Sequence, residues 1–157
     1  MLSLIRGGDG HPSHPPLTDV AIGSYTFAIA ALMANKVGFE EAITAGAGFY
    51  ALLLGLAATA AAVVTGFADY LLMENGTLLK KTATYHWTVM VCATVFFVAT
   101  AWLLSDEYDR GDVSTIALVL GLVGYGLMSV GGWLGGAVVF KHGMRVVTDS
   151  ESERRGS

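Results

Sequence analysis

The chain alternates between long apolar segments without a charged side chain and short polar segments. Three apolar segments have 24 to 28 uncharged residues each; they lie between Glu41 and Asp69, between Lys81 and Asp106, and between Asp112 and Lys141. About 20 apolar residues are enough for a helix to cross the hydrocarbon core of a bilayer. The pattern therefore predicts three transmembrane helices.

A fourth apolar segment, residues 20–35, is shorter and lies between Asp19 and Lys36. It becomes long enough for a marginal span when Leu17 and Thr18 are included, and the Pro15-Pro16 pair suits the first turn of a helix. We therefore expect four helices. Their predicted ranges are about 17–34, 43–68, 82–104 and 113–140.

Short connections between these helices make sequence neighbours antiparallel neighbours in space. The predicted fold class is all-α, an integral membrane four-helix up-down bundle over residues 17–143. Residues 1–16 form a polar N-terminal segment, and residues 144–157 have the composition of a disordered tail. The sequence has no solenoid-type repeat.

The composition supports this fold, because 54% of the residues are hydrophobic and only 14% are charged. A soluble globular domain has about 25% charged residues. The first 19 residues contain charges and prolines and no apolar core, so we expect no secretory signal peptide. No nucleic-acid-binding surface and no hydrolase or transferase pattern is present, and whether the protein is an enzyme stays open. The lipid bilayer is the first predicted partner.

The loop charges predict the orientation in the membrane, since basic residues concentrate in cytoplasmic loops. One side of the predicted bundle has seven Lys or Arg residues and the other has two. The seven are Arg6, Lys80, Lys81, Lys141, Arg145, Arg154 and Arg155, and the two are Lys36 and Arg110. Both termini are therefore predicted to be cytoplasmic.

All four histidines fall at this predicted cytoplasmic end. His11 and His14 precede the first helix, His86 lies one turn into the third, and His142 follows the fourth. Two carboxylates, Asp19 and Asp69, are predicted at the same level. Ionisable side chains at membrane depth are costly and usually functional. Each of them can also be explained as an interfacial side chain that reaches water or caps a helix end.

The fourth helix has a glycine stripe that leads toward a histidine. At 100° per residue, Gly131, Gly135 and His142 all lie within about 20° of the direction of Gly124. Small residues four apart let helices approach closely, within the bundle or between copies of the chain, so the helix over 113–140 is a candidate surface for a homo-oligomer. The same stripe would also admit a flat macrocycle. His86 shares its face with Met90, Ala93, Phe97 and Leu104.

Three kinds of chemistry fit a group of histidines at one membrane face. Two imidazoles from different helices can hold a b-type haem, and His14, His86 and His142 are the candidate ligands. Histidines with a carboxylate can bind a transition metal ion; the candidate ligands are His11, His14, Asp69, His86 and His142. An Asp–His chain can also relay protons. The spacing does not choose among these.

Several motifs resemble a known family of bacterial membrane proteins, domain of unknown function 2231. The opening His11-Pro-Ser-His-Pro15 with Ala21-Ile22-Gly23 is similar to the family's His-Pro-x-His-Pro…Pro-Ile-Gly, with Ala21 in place of a proline. The resemblance extends over roughly residues 11–145. Further matching segments are Thr65-Gly-Phe-Ala-Asp-Tyr70, His86, Gly131-Gly-Trp-Leu-Gly-Gly136 and His142-Gly143.

This resemblance implies a four-helix protein of the bacterial inner membrane in which His11, His14, Asp69, His86 and His142 match the family motif. Members are sometimes fused to Rieske iron–sulfur or cytochrome c modules, which favours a redox role. The leading hypothesis is an electron-transfer component with one b-type haem, working with a redox partner protein or membrane complex. His86 with His142 or His14 would be the ligands, and Asp69 would orient an imidazole. The alternatives are a non-haem metal protein and a non-catalytic accessory subunit of a membrane complex.

Overall fold

A computed structural model describes residues 5–8 and 11–146, and the described residues form helices and turns without a β-strand. Four of these helices are long and apolar enough to cross a membrane. They are α1 (His14–Lys36), α2 (Glu41–Leu71), α3 (Leu78–Leu104) and α4 (Thr115–Gly136), and α4 continues into a π-helical turn, Ala137–Lys141. A short 3₁₀ turn, Tyr108–Arg110, lies between α3 and α4. The predicted four-helix membrane bundle is therefore confirmed.

Local sequence signals explain where three of the helices begin. Thr77 and Ser114 precede α3 and α4, and their hydroxyls accept hydrogen bonds from the backbone N–H groups of Lys80 and Ala117. Such caps satisfy N–H groups that have no partner in the first turn. Proline is tolerated in a first turn for the same reason, and α1 accordingly begins at His14, just before Pro15.

The observed helices differ from their predicted ranges by a few residues at their starts. The first three begin two to four residues before the predicted starts, whereas α4 begins at Thr115, two residues after its predicted start. The predicted tail, 144–157, lies mostly outside the described residues. Its first three residues, 144–146, form a turn after α4.

The helices pack as two hairpins, α1 against α2 and α3 against α4. Glycines permit the close approach within each hairpin. A Cβ atom on Gly55 would lie 2.6 Å from the Tyr25 ring, and one on Gly124 would lie 3.2 Å from the Phe97 ring. The glycine stripe of α4 therefore faces α3 within the bundle. Gly132 has no neighbouring atom within 4 Å of the Cβ position, so it faces outward.

The two hairpins are structural repeats of one another. The same 72-residue spacing separates inward-facing residues of α1 from those of α3, and a 69-residue spacing relates α2 to α4. The pairs are His14 with His86, Ala21 with Ala93, Tyr25 with Phe97, Leu32 with Leu104, Gly55 with Gly124 and Gly66 with Gly135. Because α1 and α3 begin at the same end of the bundle, the two hairpins are related by an approximate two-fold axis parallel to the helices.

Tyr25 and Phe97 meet at this axis and form the centre of the core. Their rings stack with centroids 3.8 Å apart and an interplanar angle of 7°, and both side chains are 1% exposed. The Tyr25 hydroxyl lies 2.8 Å from the Thr59 hydroxyl on α2, which gives the buried polar group a partner. The two hairpins are thus joined through equivalent aromatic residues.

Replacement of Gly55 tests this close packing. In Gly55→Ala the new methyl group would overlap the Tyr25 ring, which cannot move because it is stacked on Phe97 and bonded to Thr59. We expect a loss of about 1–3 kcal/mol in stability, typical of overpacked cores, visible as a lower thermal midpoint in detergent. Gly46→Ala is the matched control on the same helix, because its Cβ position has open space. Equal midpoints for the two variants would contradict the packing described.

Candidate functional site

His14, the first residue of α1, contacts the backbone of α2. Its Nδ1 atom lies 2.8 Å from the carbonyl oxygen of Ala62 and 3.4 Å from the hydroxyl of Thr65. The ring lies directly over Gly66, where a Cβ atom would come within 2.7 Å of the imidazole Cε1. The imidazole is therefore held against the second helix of its own hairpin.

His86 makes the equivalent contact in the second hairpin. Its Nδ1 atom lies 2.7 Å from the carbonyl oxygen of Gly131 on α4. Its ring lies over Gly135, whose Cβ position is 3.1 Å from the imidazole Cε1. In both hairpins the accepting carbonyl precedes the contacted glycine by four residues, so the two arrangements are repeats in atomic detail as well as in spacing.

The glycine has a physical reason to stand four residues after the carbonyl. A helical carbonyl accepts the N–H of the residue four positions later, and its oxygen has a second lone pair. A side chain on that later residue would cover the approach to this lone pair. Gly66 and Gly135 leave the carbonyls of Ala62 and Gly131 accessible, and each accepts a second bond from an imidazole.

These bonds fix the tautomer of both rings. A carbonyl oxygen can only accept, so Nδ1 of His14 and Nδ1 of His86 must each carry the proton and donate it. In a neutral imidazole the other nitrogen, Nε2, is then unprotonated and has a free lone pair. Among the described residues, no hydrogen bond involves Nε2 of either ring. Both rings are thus in the form that a metal ligand requires.

The two rings lie at the same end of the bundle. His14 and His86 are related by the approximate two-fold axis, because α1 and α3 both begin at that end. Met90, Ala93, Phe97 and Leu104 were predicted to share one face of α3 with His86. That face points into the bundle, because the last three residues are buried and Met90 packs against the core. His86 therefore continues the inner face of α3.

His142 lies at the same end but differs from the other two. Its Nε2 atom is 3.1 Å from the hydroxyl of Thr82, and that hydroxyl donates its single proton to the carbonyl of Leu78. Thr82 must therefore accept, and His142 must donate from Nε2. The π-helical turn before His142 also moves it off the glycine stripe that contacts α3. The structure places all three of these histidines at one end of the bundle, with His14 and His86 in one tautomer and His142 in the other.

Asp69 forms an ion pair close to the histidines. Its Oδ1 atom accepts from Nε of Arg6 at 2.6 Å, and the Asp69 side chain is only 11% exposed. Asp69 was predicted to orient an imidazole. In the structure Asp69 pairs with Arg6, and backbone carbonyls orient both rings instead. Arg145 reaches the same segment and donates from Nη2 to the carbonyls of Arg6 and Gly7 at 2.7 and 3.1 Å. The segments that precede α1 and follow α4 thus meet beside α2.

The remaining predicted residues are more peripheral. His11 is exposed in the segment before α1, and Asp19 is exposed on the outer side of α1. Within residues 5–8 and 11–146, no three His, Cys, Asp or Glu side chains are placed so that they could share a metal ion. The non-haem ligand set of His11, His14, Asp69, His86 and His142 stays a prediction without this support.

The contacts of the imidazoles with backbone carbonyls and glycines were not predicted from the sequence. Ala62 was an unremarkable small residue, and Thr65, Gly66, Gly131 and Gly135 were noted only as motif or packing residues. A usable signal was nevertheless present, because two glycines stand eleven residues apart in both α2 and α4. A histidine likewise precedes an inward-facing aromatic ring by eleven residues in both α1 and α3.

Comparison with known proteins gives one match. A family model described as "Predicted membrane protein (DUF2231)" matches residues 10–148. No curated protein and no solved structure matches the chain. The matched range contains both histidine hairpins, and it confirms the family indicated by the sequence motifs.

The Arg6–Asp69 pair can be tested against an exposed carboxylate. Asp69→Asn keeps the shape of the side chain but removes the charge that a partly buried guanidinium contacts. We expect a loss of about 1–3 kcal/mol, the usual contribution of a hydrogen bond to a charged group, measured as a lower thermal midpoint. Asp19→Asn removes an exposed charge and is expected to leave the midpoint unchanged. If Asp69→Asn behaves like Asp19→Asn, the ion pair contributes nothing to the fold.

Proposed function

Because the chain belongs to the DUF2231 family of predicted membrane proteins, we propose that it is a redox component of the bacterial inner membrane that binds one b-type haem between His14 and His86. The single observation that supports this proposal is the repeated geometry of the two histidines. Each Nδ1 donates to a helical carbonyl, and each Nε2 is left with a free lone pair.

The two histidines have the chemistry that a b-type haem requires. Bis-histidine haem needs two neutral imidazoles from opposite sides, each with its second nitrogen hydrogen-bonded so that the ring orientation is fixed. His14 and His86 are contributed by different hairpins, and these two residues would hold the haem through their Nε2 atoms. When bound, the haem iron would supply reversible one-electron transfer.

The protein's own residues would orient and insulate such a group. The Ala62 and Gly131 carbonyls would raise the basicity of the two imidazoles by accepting their Nδ1 protons. Inward-facing Tyr25 and Phe97 lie eleven residues, about three helical turns, deeper along α1 and α3, and with the Ala21–Ala93 pair above them they would exclude water from the interior below the histidines. His142 is not a ligand in this proposal, because its Nε2 proton is donated to Thr82. The cytoplasmic location of the site rests on the loop charges.

The absorbance spectrum of the purified protein tests the proposal. After expression with sufficient haem we expect a Soret band and the electron paramagnetic resonance spectrum of low-spin ferric haem. His14→Ala and His86→Ala should each remove the low-spin signal, since each removes one axial ligand. His142→Ala is the matched control and should retain it.

Two results would contradict the proposal. The first is a folded, haem-replete protein without a Soret band. The second is a low-spin signal that survives in both His14→Ala and His86→Ala. Circular dichroism of each variant establishes that its helices are intact, so that the loss of haem is separated from the loss of fold.

A further inference from the structure

A surface cavity of about 340 Å³ lies at the turn between α2 and α3, away from the paired histidines. Its polar lining includes Tyr70, Asn75, Thr77, Lys80, Lys81 and Thr84. No step of the proposed redox function uses these residues. The cavity is therefore a separate feature of the same end of the bundle.

The lengths of the helices place this cavity among lipid headgroups. Helix α2 has 31 residues and is about 46 Å long at 1.5 Å per residue. The hydrocarbon core is about 30 Å thick, and the bilayer with its headgroups is about 40–45 Å thick. The helix is therefore longer than the hydrocarbon is thick, and the charged residues Asp69, Lys80 and Lys81 at this end, which are costly inside the hydrocarbon, place Tyr70 and Leu71 in the layer that contains phosphate groups.

The charge of the cavity selects the chemical class of its ligand. Lys80 and Lys81 both line it, and its polar wall contains no carboxylate; the nearest acidic residue in the chain, Glu74, is exposed in the turn. The hydroxyls in the wall are already committed, because Thr84 donates to the Lys80 carbonyl and Thr77 donates to the Glu74 carbonyl. The lysine ammonium groups and the side-chain amide of Asn75 are therefore the donors available to an anion, and only the lysines carry a positive charge.

One of these ammonium groups is held in place. Lys80 Nζ donates to the Met73 carbonyl at 3.1 Å and lies 4.9 Å from the centre of the Tyr70 ring. A lysine that is positioned in advance loses less conformational freedom when it binds an anion. An ammonium group has three hydrogens, so the bond to Met73 leaves others for a ligand.

Exposed aromatic side chains lie on the hydrocarbon side of the cavity. Phe67 on α2 and Tyr85 and Trp87 on α3 lie deeper in the bundle than the lysines, and they are 43%, 54% and 36% exposed. A free phosphate ion would contact none of these. A phospholipid would place its phosphate at the lysines and its glycerol and acyl chains against these aromatic side chains.

We propose that the cavity at the α2–α3 turn binds the headgroup phosphate of an anionic phospholipid through Lys80 and Lys81. The site holds a lipid of the surrounding leaflet at the end of the bundle that carries the paired histidines. It does not depend on haem binding.

Native mass spectrometry of the whole chain, purified with mixed phosphatidylglycerol and phosphatidylcholine, tests the proposal. The wild-type protein is expected to retain phosphatidylglycerol in preference to phosphatidylcholine. Lys80→Gln with Lys81→Gln should lower this preference by about fivefold per lysine, the contribution of a basic residue near an anionic surface. Lys36→Gln with Arg110→Gln removes the same charge at the opposite end and should leave the preference for the bound lipid unchanged.

Several outcomes would overturn the proposal. One is an unchanged preference in the double lysine variant, and another is an equal loss in the control. A third is a rise in thermal midpoint with inorganic phosphate equal to that with phosphatidylglycerol, which would indicate a site for free phosphate. If the double variant does not fold, Lys81→Gln alone serves, because Lys81 is exposed, and its preference should still fall about fivefold.

Discussion

The hydrogen bond from an imidazole Nδ1 to a helical carbonyl, made once in each hairpin, is the interaction on which the site depends. It requires a small residue at the contact, a histidine at the facing position of the neighbouring helix, and an inter-helix distance that only glycine permits. Interhelical hydrogen bonds in membrane proteins contribute only about 1 kcal/mol. Their main effect here is therefore orientation: they fix the tautomer and direction of His14 and His86, while the bundle is held together by packing.

The repeat explains why this interaction occurs twice, and the places where the repeat fails give the site its asymmetry. The position in α4 equivalent to Asp69 is Val138, so only the first hairpin carries an ion pair with Arg6. The position equivalent to Thr65 is Leu134, so only His14 has a hydroxyl near its Nδ1. The two imidazoles are thus equivalent in geometry and different in surroundings. A group held between them would have two distinguishable sides.

The fold was largely predictable because uncharged runs longer than the bilayer leave few alternatives to transmembrane helices. The level of the histidines was predictable for the same reason. Their partners were not, because a backbone carbonyl is present at every residue and the sequence does not show which one a ring approaches. His142 was also grouped with the ligand candidates on the glycine stripe, and the π-helical turn that moves it away has no clear sequence signal. The repeat was hidden because the two hairpins share spacing but few identical residues.

The most direct test of this account is the tautomeric state of the histidines, measured by nitrogen NMR on protein labelled with ¹⁵N-histidine. His14→Ala, His86→Ala and His142→Ala assign the signals. In the protein without added cofactor, at a pH where the rings are neutral, we expect His14 and His86 both to be protonated at Nδ1 and bare at Nε2. His142 should show the opposite pattern. A proton on Nε2 of either His14 or His86 would contradict the account, because that neutral ring could not donate from Nδ1 to its carbonyl and would have no lone pair at Nε2 for a ligand.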